Sequence, residues 1–274
     1  MYFDSHTHLD NEDYTDEARA DLIRSIQASD VDAVVDIGFD LPTSRMAATH
    51  ALLYPWCYAA VGVHPHNASD MTPEVLATLE RLAAEDDVVA IGEMGLDYFR
   101  NLSPQRDQIR AFEMQIALAL KLKMPIVIHD RDSGGEVMRI LEACGAFSEE
   151  RKRAFARNAV TGKADARVLL HCFSGTDEEA LAAIEQGCTI SIAGTVTYKK
   201  NDRTKDVARS IPLAHMLVET DAPYLTPEPF RGKRNSSPLI EYTVRCIAGL
   251  RGLSVEEVAQ ATAENARRFF GIAS

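Results

Sequence analysis

Two histidines stand one residue apart near the start of the chain, His6 and His8 in the stretch FDSHTHLD. Successive side chains of a strand point to opposite faces, so these imidazoles share one face, roughly 6.6 Å apart along the strand. Such a pair is either the first part of a metal site or two polar residues of an ordinary first strand. The pair alone does not separate these interpretations. The residues that end the later strands decide between them.

Four further residues with metal-binding side chains lie at or near the last position of an apolar run. They are Glu93 in AIGEMG, His129 in PIVIHD, His171 in VLLHCF and Asp221 in LVETD. A single histidine there is usually a hydrogen-bonded polar residue, and a single acid is usually a helix N-cap. Six such residues at the ends of five runs are hard to obtain by chance. We therefore predict a metal site with the ligands His6, His8, Glu93, His129, His171 and Asp221.

The chemistry of these ligands limits the metal. They offer nitrogen and carboxylate oxygen but no thiolate, which suits Zn²⁺, Mn²⁺ or Mg²⁺. Six ligands exceed what one four-coordinate ion uses, so we expect two divalent ions with the Glu93 carboxylate bridging them. His6 and His8 are expected to bind the more buried ion, whose coordination Glu93 and Asp221 complete.

The elements that must position these ligands are eight apolar, strand-like runs separated by amphipathic helical patterns. The runs are 2–8, 32–39, 57–64, 88–95, 125–130, 166–173, 188–195 and 215–221. Most are continuously apolar, as expected of parallel strands covered on both faces. Eight such units predict an α/β fold, a single (β/α)8 TIM barrel over residues 1–274, whose chemistry lies at the carboxyl ends of the strands. An open doubly wound sheet is the alternative, although no glycine-rich phosphate loop follows any run.

The sequence predicts where several helices begin and end. Thr72-Pro73 and Ser103-Pro104 each predict an N-cap followed by proline at the first helical position. Ser254 and Glu257 form a predicted capping box, and Gly271 is the expected C-cap of the same helix.

Composition bounds the class of protein. Of the 274 residues 46% are hydrophobic and 26% charged, as in a globular enzyme. No apolar run approaches the ~18–20 residues needed to cross a bilayer, so we expect no membrane association.

The five cysteines form no C-x-x-C pair, which favours reduced thiols and a cytoplasmic location. The net charge of −12 argues against long-range attraction to a polyanion. We expect a monomer or weak oligomer.

Six motifs carry a family resemblance: FDSHTHLD, GVHPH, GEMGLDY, PIVIHDRD, HCFSG and ETDAPYL, in this order. Together they resemble the TatD-type metal-dependent deoxyribonucleases of the amidohydrolase superfamily, from residue 3 to about residue 270. The resemblance implies a TIM barrel with a divalent-metal site that hydrolyses nucleic-acid phosphodiesters, often as a 3′→5′ exonuclease. Matching motif by motif assigns the same six ligands.

We therefore expect a DNA exonuclease that acts on single-stranded ends, with Glu93 and Asp221 as catalytic residues. Asp221 is the expected base that takes the proton of the attacking water. One alternative is a metal-dependent amide or ester hydrolase, such as a deacylase of misacylated tRNA, because such a site also polarises a carbonyl. A non-catalytic binding barrel is less favoured, since all six ligands are present.

Loops after the strands are expected to contact the substrate. His64 and His66 in GVHPH are candidates for substrate contact or for orienting a ligand. Basic residues in these loops can offset the negative net charge, and aromatic residues there can stack on bases. The basic residues are Arg100, Arg131, Lys199, Lys200, Arg203, Arg231, Lys233 and Arg234, and the aromatic ones are Tyr98, Phe99, Tyr198 and Phe230.

One segment, 147–166, is longer than the connection usual in the family. It carries Arg151, Lys152, Arg153 and Arg157. A connection from a helix to a strand lies on the amino-terminal face of a barrel, away from the chemistry. We expect a solvated helical insertion there, with a partner contact as the alternative.

Overall fold

The strands follow one another through the sheet in chain order. The computed structural model describes residues 1–11 and 14–272, and in these ranges it contains eight strands. They are β1 (Tyr2–Thr7), β2 (Val31–Ile37), β3 (Cys57–Val61), β4 (Val88–Asp97), β5 (Ile126–Arg131), β6 (Val168–Leu170), β7 (Cys188–Ile192) and β8 (Met216–Val218). The order β1 to β8 and the parallel pairing are those of a (β/α)8 barrel, as predicted. The doubly wound alternative requires a reversal of strand order that this sheet lacks within the described ranges.

Helices connect these strands. Between residues 14 and 272 they are α1 (Asp16–Gln27), α2 (Leu41–Leu53), α3 (Pro73–Leu82), α4 (Gln105–Leu122), α5 (Glu136–Ala143), α6 (Glu149–Arg153), α7 (Asp177–Gln186), α8 (Asp202–Ser210), α9 (Ile240–Arg251) and α10 (Val255–Phe270). Among the described residues, no helix combines the length and apolar character that a bilayer crossing requires.

The chain divides into two compact units. Unit 1 comprises 1–36, 172–184 and 189–274, and unit 2 comprises 37–171 and 185–188. In unit 1 the ring of Phe3 on β1 lies parallel to that of Phe270 on α10, with centroids 6.2 Å apart. Phe3 is fully buried, which contributes about 1.5–3 kcal/mol relative to an exposed ring.

Unit 1 also joins β1 to the segment after β8. The Asp221 amide donates to the His6 carbonyl (2.9 Å), and the His8 amide donates to the Ala222 carbonyl (2.8 Å). A parallel bridge between Thr7 and Ala222 lies between these bonds. The first strand and the last thus meet at their carboxyl ends.

Unit 2 contains β3 to β6, which pair in parallel. Its core includes Ile91, Phe112 and Ile126, all fully buried. Gly95 on β4 has φ 144°, and a Cβ there would lie 1.9 Å from the His129 carbonyl oxygen. Only glycine therefore lets β5 approach β4 at this register.

The strand limits differ from the predicted ones at several strands, most at β6 and β8. β4 extends two residues further than predicted, to Asp97, whereas β6 and β8 contain only three residues each. β6 is short because Arg167 before it (φ 51°) and Cys172 after it (φ 45°) have left-handed rather than extended backbone conformations. His215 belongs to a 3-10 turn that precedes β8.

Two of the three helix-start predictions are confirmed. The Thr72 side chain caps α3, and Ser254 and Glu257 form the capping box of α10, which ends at the left-handed Gly271. The Ser103 prediction is wrong, since α4 starts at Gln105 without a side-chain cap. The Ser103 hydroxyl instead donates to the His66 carbonyl and accepts from the Ser69 amide, which ties it to the turn after β3.

The segment 147–166 is not uniformly solvated, contrary to expectation. Arg151 on α6 is buried, and its guanidinium donates to the carbonyls of Ala166 (2.8 Å) and Met124 (2.9 Å). Burial lowers the pKa of Arg151 to about 10. Arg151 is buried because it satisfies backbone oxygens just ahead of β5 and β6, whereas Arg153 and Arg157 are exposed.

Candidate metal centre

A cluster of two imidazoles and one carboxylate lies in unit 1. The Nε2 atoms of His6 and His8 are 3.3 Å apart, and Asp221 Oδ1 lies 3.6 Å from the first and 3.5 Å from the second. We call these three residues the Asp221 cluster. Both rings are buried, while the Asp221 side chain keeps 15% of its surface exposed. Three ligand atoms converge here without hydrocarbon between them, which is the arrangement a cation requires.

Local backbone geometry positions the Asp221 cluster. His6 and His8 lie on the same face of the extended β1 segment, as the alternation rule predicts. Asp221 has φ 54°, a left-handed conformation that aspartate tolerates better than most residues. Its amide bond to the His6 carbonyl fixes it beside the imidazoles.

A buried acid that the sequence analysis missed supports the same cluster. Asp4 is two residues before His6, and its carboxylate accepts from the amide (2.9 Å) and the hydroxyl (2.6 Å) of Thr220. Burial raises the pKa of Asp4 to about 7, although the hydrogen bonds from Thr220 oppose this shift. Asp4 thereby holds the residue that precedes Asp221. In the sequence it reads as one more polar position of a first strand.

A second cluster lies in unit 2 around Glu93. Glu93 Oε1 is 2.8 Å from His129 Nδ1, 2.8 Å from His171 Nε2 and 3.6 Å from His64 Nε2. We call these four residues the Glu93 cluster. His64, Glu93 and His129 each offer a ligand atom, and these atoms lie within 4.8 Å of one another. His64, expected as a substrate contact or an orienting residue, therefore stands among potential ligands.

The protonation states in the Glu93 cluster follow from burial and from its neighbours. Burial opposes ionisation of Glu93, but His171 and His64 hold the pKa of its carboxyl well below the usual value. Burial lowers the pKa of His64 well below its usual value despite the attraction of Glu93. A carboxylate that stays charged in a buried position can bind a cation.

Asp97 is the residue beside the Glu93 cluster that the sequence analysis most clearly missed. It is fully buried at the end of β4, where its Oδ2 lies 2.7 Å from His66 Nε2 and 3.4 Å from His129 Nε2. Burial lowers the pKa of His129, but Asp97 and Glu93 together raise it above its ordinary value. The signal was present, since positions 93, 95 and 97 share a strand face.

Comparisons with known proteins identify the family of the chain. A model of the TatD related DNase family matches residues 3–271. The chain belongs to this family. It is 42% identical over 272 residues to the uncharacterized metal-dependent hydrolase YabD of Bacillus subtilis, covering 99% of this chain and 100% of that protein. It is 37% identical over 222 residues, 79% of each chain, to a protein of Pantoea ananatis named 3′-5′ ssDNA/RNA exonuclease TatD.

A solved structure extends the family match to the fold. The TatD homologue YjjV of Escherichia coli superimposes with a TM-score of 0.83 at 26% identity, covering 99% of this chain and 98% of that one. The protein is thus a metal-dependent hydrolase on a (β/α)8 barrel. The donors of both clusters, histidine nitrogen and carboxylate oxygen, fit a divalent cation.

The remaining predicted substrate contacts of this TatD-family protein do not all lie in loops, since Arg131 ends β5 and His66 belongs to a 3-10 turn after β3. His66 pairs with Asp97, and the Tyr98 hydroxyl donates to Glu136 Oε2 (2.6 Å). The Arg131 guanidinium lies 4.2 Å from the centroid of the exposed Phe99 ring. Lys199 is exposed, and its carbonyl accepts from Lys205 Nζ (3.0 Å). Contact of these residues with substrate stays a prediction.

Proposed function

We propose that this protein is a divalent-metal-dependent deoxyribonuclease that removes nucleotides from the 3′ end of single-stranded DNA. The observation that carries the proposal is the set of histidine and carboxylate ligands at the strand ends in a chain of the TatD related DNase family. The name of the Pantoea relative supports the choice of bond and of strand end.

We infer one centre for two cations, held by the six ligands predicted from the sequence. They are His6, His8, Glu93, His129, His171 and Asp221. Support comes from the parallel order of the strands, because the carboxyl ends of parallel strands face the same edge of a sheet. Glu93 would hold both cations in this proposal, since its Oε1 lies within 3.6 Å of three imidazole nitrogens.

The chain's own residues then have separable roles. Divalent cations supply Lewis-acid stabilisation of the charge that develops on the phosphoryl oxygens. Asp221, whose carboxylate reaches solvent, accepts the proton of the attacking water. Glu93 and the imidazoles around it keep the centre rigid, because Glu93, His64 and His171 are buried and the partly buried His129 contacts the Glu93 carboxylate before any substrate arrives.

The proposed setting is the cytoplasm. All five cysteines, Cys57, Cys144, Cys172, Cys188 and Cys246, are free thiols. Free thiols without any disulfide are usual for proteins of a reducing compartment.

Metal reconstitution tests the proposed activity. The protein is stripped with a chelator, reloaded with Mg²⁺, Mn²⁺ or Zn²⁺, and incubated with single-stranded DNA labelled at the 5′ end. We expect a ladder shortened from the 3′ end that depends on the metal. RNA of the same sequence and an aminoacyl ester serve as parallel substrates. Metal-dependent release of the amino acid without any shortening of DNA would replace the nuclease proposal with that of a deacylase.

A further inference from the structure

Three cations lie within four residues of the loop that follows β8. Arg231, Lys233 and Arg234 are all exposed, and together they are called the cationic strip. None of them makes an ion pair with a carboxylate of residues 1–11 or 14–272. In a chain of net charge −12, three neighbouring cations that have no acidic partner among the described residues form a concentrated local patch of positive charge.

Each cation of the strip rests on an aromatic ring. The Arg231 guanidinium carbon lies 4.4 Å from the centroid of Tyr198, and that of Arg234 lies 5.0 Å from the centroid of Tyr14. Lys233 Nζ lies 5.6 Å from the centroid of Phe230. A guanidinium above a ring keeps its N–H donors at its edge, where oxygen acceptors can reach them.

The loop beneath the strip is fixed by its own hydrogen bonds. The Thr226 hydroxyl donates to the Lys233 carbonyl (2.6 Å). The Asn235 amide side chain donates to the carbonyls of Thr220 (2.8 Å) and Tyr224 (2.6 Å). The cations are therefore presented on an ordered segment, and binding loses less conformational entropy than it would on a flexible one.

The loop after β7 braces the same segment. The Tyr198 hydroxyl donates to the Thr226 carbonyl (3.1 Å), and the Glu228 amide donates to the Thr197 hydroxyl (2.8 Å). The ring under Arg231 is thus tied to the strip's own loop. The loop after β8 also contains Asp221, so its cations and the proposed base belong to one continuous segment of unit 1.

We propose that the cationic strip binds consecutive backbone phosphates of a single-stranded polynucleotide, whose terminal phosphodiester lies at Asp221. This inference rests on the proposed nuclease function and names the residues that hold the strand beyond the cleaved bond. Cations that contact phosphates position a strand without reading its sequence. Exposed aromatic side chains of the same loop, such as the 49%-exposed Tyr224, offer faces on which bases stack.

Binding of a strand to paired charge variants tests the strip. The variant R231Q/K233Q removes two charges from the strip, and the control R153Q/R157Q removes two exposed charges from the 147–166 segment. The probe is a fluorescent oligothymidylate of about 12 nucleotides with phosphorothioate linkages, which keep the charge and resist cleavage. Fluorescence anisotropy with metal-loaded protein gives affinity over a range of salt concentrations.

For the strip variant we expect affinity to fall at least about fivefold at low salt, and the slope of log affinity against log salt to decrease by about 1.4. The control variant keeps the wild-type slope. An unchanged slope in R231Q/K233Q, or an equal decrease in the control, would overturn the proposal. Unchanged thermal unfolding of both variants excludes misfolding as the cause.

A small substrate separates this proposal from the nuclease proposal. Bis(4-nitrophenyl) phosphate has one phosphodiester and no neighbouring phosphates. We expect the kcat/KM of R231Q/K233Q to fall at least about fivefold on the oligonucleotide and by a clearly smaller factor on this ester, which offers the strip no neighbouring phosphates. Failure of the wild-type protein to hydrolyse either substrate contradicts the nuclease function alone, because the anisotropy measurement still reports on the strip.

Discussion

The Asp221 cluster and the Glu93 cluster use the same ligand types but are supported differently. Glu93 is enclosed by three imidazoles on or just after strands of unit 2, and Asp97 contacts one of them from behind. Asp221 lies three residues past a strand of three residues and reaches solvent. A rigid carboxylate suits metal binding, and a solvent-facing one suits proton transfer. The proposed roles of the two carboxylates therefore differ because of the contacts and the solvent exposure of each side chain, and not because of the residue types in the clusters.

The change Glu93→Gln is expected to have the largest effect and tests the difference between the two clusters most directly. It removes the charge that three imidazoles surround, so we expect metal content and activity to be lost together. Several kcal/mol of lost charge stabilisation correspond to a rate decrease of roughly a thousandfold or more. Elemental analysis of the purified variant and the DNA assay measure the two effects. The exposed Glu264→Gln is the control, and full metal content in Glu93→Gln would contradict the bridging role.

The change Asp221→Asn is expected to affect rate more than metal content or stability. An amide of the same shape keeps the backbone bond to His6 but accepts no proton, so kcat should fall about a hundredfold or more. Thermal unfolding should stay close to that of the wild type. The exposed Asp206→Asn serves as the control, and full activity of Asp221→Asn would rule out its role as the base.

Asp97 sharpens the comparison, because we expect it to act through His129, which it contacts at 3.4 Å, rather than on substrate. Loss of a carboxylate that orients a ligand histidine typically costs 10–100-fold in metal affinity, so we expect roughly tenfold for Asp97→Asn. In metal-free protein the pKa of His129 should fall, since Asp97 is one of the two acids that raise it. Titration of the imidazole by NMR measures this shift. An unchanged pKa in Asp97→Asn, or an equal fall in the control Asp107→Asn, would remove Asp97 from this role.

The sequence predicted the polar residues at the ends of apolar runs better than those that lie beyond these runs or depend on distant partners. The number and order of the strands and the closeness of His6 to His8 follow from alternation and from apolar runs. Asp97 was missed because β4 continues past the apolar run to a polar end that no hydropathy pattern marks. Asp4 was missed because its role depends on Thr220, a partner 216 positions away. Long-range pairing of polar groups leaves no local pattern.

The change Arg151→Gln has the smallest expected effect on activity. It tests whether the two clusters depend on the general stability of unit 2. The Arg151 guanidinium satisfies buried carbonyls ahead of β5 and β6, so Arg151→Gln should lower the free energy of unfolding by about 2–4 kcal/mol. The neighbouring exposed Arg153→Gln should change it by less than about 0.5 kcal/mol. Denaturant unfolding measures both values. Below the unfolding transition, kcat and metal content of Arg151→Gln should match the wild type, because Arg151 contacts the amino-terminal ends of strands whose carboxyl ends lead to the ligands. A large decrease in kcat of the folded variant would show instead that the rigidity of the Glu93 cluster depends on the opposite ends of its strands.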